Sequence, residues 1–261
     1  MPFRTEPWPT GTPCWVDLAV PDVAAATAFY GAVLGWAFVD TGEEFGHYHV
    51  ARTKDRAAAA IGPVQDPGQR VAWTVYLASD DADATAKLIG ANGGTVLAPP
   101  FDIPGNGRML LALDACGGTF GVWQAGGTVG AEIYNEPGSL VWTDARLTDA
   151  EAGHAFYSAV FGYTYEPVPG VSASEYAVFQ VGGEVAGGMG GMMGAPPGTP
   201  SHWLTYFAVP DVDAAVATAE SAAATVLMPP QDTPFGRMAI ITDPFGATFA
   251  VHSGPTEALS A

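Results

Sequence analysis

Short apolar runs bounded by Pro, Gly and Asp alternate along the chain with segments whose apolar residues recur at helical spacing. Trp15 to Val20 and Trp73 to Ala78 read as short strands. Pro21-Asp22 follows the first and Asp80-Asp81 the second, so an Asp stands ready to accept from the free amides of a helix's first turn. Val23, Ala26, Tyr30, Val33 and Leu34 form a helical apolar stripe, and Gly35 and Gly162 stand where helix C-caps are expected. Three further strands are predicted after each helix: near Ala37, His47 to Ala51 and Ala57 to Ile61, then near Thr95, Met109 to Leu113 and Thr119 to Trp123. Each quarter therefore reads strand-helix-strand-strand-strand. A four-stranded sheet covered by one helix leaves its other face bare, and pairing two such sheets hides that face and leaves a cleft between them. The element order also admits a ferredoxin-like pairing.

The same pattern returns in the second half. Phe29-Tyr30 recurs as Phe156-Tyr157, Trp73 to Ala78 as Trp203 to Ala208, Leu97 to Pro100 as Leu227 to Pro230, and Gly107-Arg108-Met109 as Gly236-Arg237-Met238. Asp114 matches Asp243. Blocks in one order at a nearly constant offset of roughly half the chain mark a tandem duplication. The expected organisation is a first lobe over 10–125, a Gly-rich linker over 126–138 and a second lobe over 139–254.

Composition narrows the function. Nine Lys+Arg face 27 Asp+Glu, a formal charge of -18. That field repels nucleic acid and anionic membranes, and it disfavours an acidic ligand unless a local Arg overrides it. No run approaches the roughly 18 apolar residues of a membrane helix, and the N-terminal residues have no signal-peptide pattern. A cytoplasmic protein, monomer or homodimer, is expected. Cys14 and Cys116 form neither a disulfide framework nor a metal motif, and are read as small buried side chains.

Trp15 to Asp22 with Phe29-Tyr30 and Leu34-Gly35-Trp36 resembles the opening βα unit of the vicinal-oxygen-chelate superfamily, the glyoxalase and bleomycin-resistance proteins. Gly107-Arg108-Met109 with Asp114, and Gly236-Arg237-Met238 with Asp243 to Gly246, resemble its closing hairpin. The whole chain is similar to two-lobed actinobacterial glyoxalase-like proteins, a group that includes a mycobacterial antigen and accessory proteins of anthracycline biosynthesis. The resemblance implies an α+β fold of two glyoxalase-like lobes, each a cupped sheet of paired βαβββ modules. It leaves open whether strands are exchanged between lobes. It also implies a site inside the cup, which in the family's enzymes holds a divalent metal on His, His or Gln, and Glu of the first, fifth and eighth strands. Carried onto this chain, those positions are Trp15, Ala72 and Gly121 in one half and Trp142, His202 and Ala250 in the other. Catalytic metals need about three protein ligands, so no cofactor is expected.

Alternation along a strand then nominates what faces the cup. Asp17, Asp144 and His202 are the catalytic candidates; Trp15, Tyr76, Arg108, Trp123, Trp142, Tyr206, Arg237 and His252 are the ligand-binding candidates. The nominated cavity is aromatic with few polar groups, which suits an apolar, planar small molecule. The leading expectation is metal-independent binding of an aromatic or polyketide-like metabolite by an accessory, carrier or tailoring protein. The alternative is a glyoxalase-superfamily enzyme of hydroxylase, lyase or isomerase type. It would be cofactor-free, or would hold a divalent metal on His47, His49, His202 or His252 in an atypical arrangement. A third reading is a structural protein with both cups plugged by Trp. Gly187 to Gly194 reads as a flexible loop or a lid beside the second cup, and His154 as a solvated helix residue.

Overall fold

The computed structural model describes residues 2–66 and 68–254. The first lobe runs β1 (Pro13–Val20), α1 (Val23–Leu34), β2 (Ala37–Asp40), β3 (His49–Thr53), β4 (Arg56–Pro63), β5 (Trp73–Ala78), α2 (Ala82–Ala91), β6 (Thr95–Ile103), β7 (Gly107–Leu113) and β8 (Thr119–Ala125). The second repeats it as β9 (Leu140–Arg146), α3 (Ala150–Phe161), β10 (Thr164–Pro167), β11 (Tyr176–Val181), β12 (Glu184–Gly190), β13 (His202–Ala208), α4 (Val212–Ser221), β14 (Thr225–Thr233), β15 (Gly236–Thr242) and β16 (Thr248–Ser253). Each helix starts at an Asp whose carboxylate accepts an amide of the first turn: Asp22, Asp81, Asp149 and Asp211. Gly35 and Gly162, both at φ 72°, end α1 and α3 in the left-handed conformation that glycine adopts without strain.

Each lobe is one continuous eight-stranded sheet, ordered β2-β3-β4-β1-β5-β8-β7-β6 and β10-β11-β12-β9-β13-β16-β15-β14. The two βαβββ modules of a lobe join edge to edge through antiparallel β1–β5 and β9–β13. No strand crosses between lobes among the described residues. The linker is an ordered strap: Ala131 and Ile133 are buried, Ala131 donates its amide to the Cys14 carbonyl, and Phe3 bridges Ile133.

The helix-covered faces of the two sheets meet, so a common core runs from Val16, Tyr30 and Trp73 of the first lobe to Tyr157, Trp203 and Phe249 of the second. Helix α1 packs on α4 and α2 on α3. Trp36 and Trp73 sit edge-on to Phe207, and Phe120 sits edge-on to Phe156. The concave faces are left on the outside of this sandwich.

Two reciprocal hydrogen-bond chains tie the lobes. The Trp73 indole donates to the Tyr30 hydroxyl (3.0 Å), which donates to Asp243 of the other lobe (2.8 Å). The Trp203 indole donates to Tyr157 (2.9 Å), which donates to Asp114 (2.9 Å). The second oxygen of each Asp accepts backbone amides of its own turn, from Cys116 and Gly118 in one and Phe245 and Ala247 in the other. The repeated Phe-Tyr and closing-hairpin Asp are thus the two ends of one interlobe clamp.

Two expectations change. Gly187, Gly188 and Gly190 do not belong to a loop: they lie buried in β12, beside β9. A side chain on Gly187 would come 2.5 Å from the Phe179 ring, and one on Gly188 would collide with Tyr176 and Asp144. Glycine is there because rings lie against the strand. His154 is half-buried, stacked on Tyr165 at 4.1 Å, with its pKa lowered by burial.

Removing the Tyr157 hydroxyl (Y157F) strands the Trp203 indole and one oxygen of Asp114 in the core. It should lower stability by about 1–3 kcal/mol, and Y30F should match it through Trp73 and Asp243. Urea denaturation checks both, and a midpoint unchanged in either variant would remove the clamp from the account.

Candidate functional site

The concave face of the first lobe carries a half-buried hydrogen-bonded cluster around Asp17 of β1. The Trp15 indole donates to the Tyr48 hydroxyl (2.9 Å), and Tyr48 and Tyr76 each donate to the same Asp17 oxygen at 3.0 Å. Trp15 lies directly opposite Tyr76 across the β1–β5 ladder, and Tyr76 opposite Gly121 of β8. The Tyr76 ring lies where a Gly121 side chain would be. Met109, Leu111 and Trp123 complete this apolar face.

The second cup repeats the arrangement. Trp142 (2.9 Å) and Tyr176 (3.0 Å) donate to one oxygen of Asp144, and Tyr206 (2.6 Å) donates to the other. Trp142 faces Tyr206 across β9–β13, and Tyr206 faces Ala250 of β16. Val141, Leu204, Met238 and Ile240 supply the apolar surround. A cleft lined by Trp8, Tyr134, Leu140, Val185 and Trp142 runs along the linker side and reaches the indole of this cup.

Asp17 keeps a little accessible surface, but dense packing governs its ionisation. Burial pushes its pKa up to about 6, while the hydroxyls of Tyr76 and Tyr48 pull it down. Both phenols are pushed well above their ordinary value by burial and by the neighbouring carboxylate, so they remain donors. His202 sits opposite Arg146 at the far end of the β9–β13 ladder, its Nδ1 on the Pro200 carbonyl (2.9 Å). Burial lowers its pKa, helped by Arg146 and Arg70 and opposed by Pro200 and Asp144.

The structure thus gathers Trp15, Asp17 and Tyr76 in one cup, and Trp142, Asp144, Tyr206 and His202 in the other. Trp123 and His252 lie on the concave faces, paired with Met109 and Met238; the His252 Nε2 meets the Phe235 carbonyl at 3.0 Å. Arg108 and Arg237 are corrections. They lie on the helix side of β7 and β15, where Arg108 pairs with Asp83 and Asp102, and Arg237 with Asp213 and Asp232. Alternation puts Met109 and Met238, not these arginines, toward the cups. Tyr48 and Tyr176 were missed. They stand at or just before strands remote in sequence from Asp17 and Asp144, and no local pattern ties them to those carboxylates.

The residues do not fit the family's metal. The ladder shows that the fifth-strand positions in register with Trp15 and Trp142 are Tyr76 and Tyr206. Ala72 and His202 lie four residues away, roughly 13 Å along the strand. The in-register rows are Trp15, Tyr76, Gly121 and Trp142, Tyr206, Ala250, which offer no donor set for a cation. Among the described residues no group of three or more His, Cys, Asp or Glu could hold a metal. His47 adopts φ 56° in a turn and bonds Asp40, so it shares no strand face with His49.

The Glyoxalase/Bleomycin resistance protein/Dioxygenase superfamily model matches residues 14–123 and 139–251. The CFP32 protein of Mycobacterium tuberculosis, which carries a provisional glyoxylase name, is 39% identical over 257 residues, covering 96% of this chain and 97% of its own. The anthracycline biosynthesis protein DnrV of Streptomyces peucetius is 36% identical over 256 residues, covering 92% of each. Among solved structures, the Mn(II)-bound glyoxalase from Novosphingobium aromaticivorans aligns at TM-score 0.65 and 15% identity, over 93% of this chain and 82% of that one. The 2,3-dioxygenase LapB from Pseudomonas sp. KL28 aligns at 0.65 and 13%, over 95% and 94%. At these identities the structural likeness is one of fold.

The Asp17 carboxyl should titrate near pH 6 by 13C NMR, and Y48F or Y76F should move it higher by removing a donor. A folded pKa above the unfolded one favours the native state at low pH. Stability from this group is therefore complete below about pH 4 and lost as pH rises through 6, by up to roughly 3 kcal/mol. D17N should flatten that part of the stability profile, and an unchanged slope between pH 4 and 6 would contradict the assignment.

Proposed function

Because the chain belongs to the glyoxalase/bleomycin resistance protein/dioxygenase superfamily, we propose that it uses the family's cups to bind an apolar, aromatic or polyketide-like small metabolite without a metal. The role would be that of an accessory, carrier or tailoring protein of secondary metabolism. One observation carries this reading. In each cup an indole, two phenols and a carboxylate form one hydrogen-bonded cluster, its indole and one phenol standing in register across the central strand pair. Such a surface offers rings for stacking and a few oriented polar atoms, the composition of a pocket for a planar organic molecule. The likeness to DnrV, named for anthracycline biosynthesis, supports the ligand class.

A second reading draws on the raised pKa of Asp17. A carboxylate titrating near 6 is suited to general acid-base work close to neutral pH. It would take the proton from an acidic C–H or phenolic O–H of a bound ring. The electron pair would stay on the ligand as an enolate or phenolate, to which the Tyr48 and Tyr76 hydroxyls would turn once Asp17 holds the proton, and the proton would return at the same or another atom. No oxidant, reductant or metal is required.

A thermal-shift panel of anthraquinones, naphthoquinones and linear polyketides should contain compounds that raise Tm. Protein purified without a His tag should carry substoichiometric divalent metal by elemental analysis. No binder in the panel, or one equivalent of metal per lobe, would each defeat the binding reading. For a compound that binds, exchange of an acidic C–H in D2O, followed by NMR and lost in D17N, separates catalysis from binding; equal exchange rates would end the acid-base role.

A further inference from the structure

The two cups follow one plan but differ where β9 meets the start of β13. Arg146 lies on the concave face two residues beyond Asp144, with His202 opposite it. In the repeat, the first cup has Ala19 and Ala72 at these places. Arg146 is only 9% exposed, and its Nε is buried without a hydrogen-bond partner. One terminal nitrogen reaches the Tyr206 hydroxyl at a long 3.4 Å. That hydroxyl gives its own proton to Asp144, whose oxygens are also occupied by Trp142 and Tyr176. The guanidinium is therefore connected to the Asp144 carboxylate through a phenol, and its Nε donor is unused. Burying a guanidinium N–H without an acceptor is costly, and the cost is removed when a ligand brings one. Burial lowers the pKa of His202 opposite it, so Arg146 is the cation of this pair. A planar guanidinium matches a delocalised oxyanion better than any other acceptor.

We propose that the second cup recognises an oxyanion carried on an otherwise apolar ring system, a carboxylate or an ionised phenol, by pairing it with Arg146, while the first cup takes uncharged rings only. This rests on the reading that the cups bind apolar small molecules. It also supplies the local cation needed to overcome a chain charge of -18.

Isothermal titration with anthraquinone-2-carboxylate and with its methyl ester tests it. The wild-type protein should bind the acid about tenfold or more tightly than the ester, and R146M should bring the two affinities together. A parallel arm with 2,4-dinitro-1-naphthol, ionised at neutral pH, tells phenolate from carboxylate; a preference for either anion that depends on Arg146 supports the site. Equal affinities for acid and ester in the wild type, or a preference that survives R146M, overturns it and leaves the binding reading standing. If neither compound binds, both fall. The wild-type protein also gives a reading that needs no variant: the Arg146 15Nε resonance should shift downfield with the acid and stay in place with the ester. A resonance indifferent to the acid counts against the pairing.

Discussion

A carboxylate taken out of water must be met by donors or take up a proton, and this constraint organises the molecule at four places. Asp114 and Asp243 lie in the core between the lobes, and Asp17 and Asp144 lie in the cups. Each is met by a tyrosine hydroxyl backed by a tryptophan indole. Both side chains bring a large apolar body with one polar edge, so they bury area and satisfy the acid together. The same chemical device closes the core and furnishes the sites.

The two uses differ in what lies on the far side of the cluster. In the core, helices and rings of the opposite lobe enclose it, so the Asp–Tyr–Trp chain acts as a clamp. On the concave faces, among the described residues, no strand of the other lobe joins the cluster, which forms the floor of a cup. The lobes pack by their helix faces because α1 to α4 leave apolar stripes that must be buried. That choice leaves the cups facing outward. Within the first cup, the Tyr76 ring lies across Gly121, where a side chain on that residue would collide with it. The Tyr76 ring fills the space over Gly121, and in the second cup Tyr206 stands opposite the small Ala250.

Duplication supplied two equivalent sites, and the second departs from the first by a cation. Asp17 has an alanine two residues along its strand where Asp144 has Arg146. The first cup thus has a carboxylate as its one ionisable acid, and the second has a buried guanidinium beside its carboxylate.

The chain's own periodicity determined the duplication, the strand-helix-strand-strand-strand modules, the Asp caps and the glycine helix ends, because each is encoded over a turn or a strand. It also nominated Asp17, Asp144, Trp15, Trp142, Tyr76 and Tyr206, since alternation on β1, β5, β9 and β13 sorts the two faces. Only the tertiary structure decided which remote residues meet these groups. Tyr48 reaches Asp17 and Tyr176 reaches Asp144 across three strands of sheet order, and register between strands is not written in either strand alone. The same holds for Arg108 and Arg237, whose ion pairs depend on helices packed over the hairpins, and for Gly187 to Gly190, whose low complexity resembles a loop until rings are seen against it. Local sequence carries the period of each element; contacts between elements are fixed by which faces must leave water together.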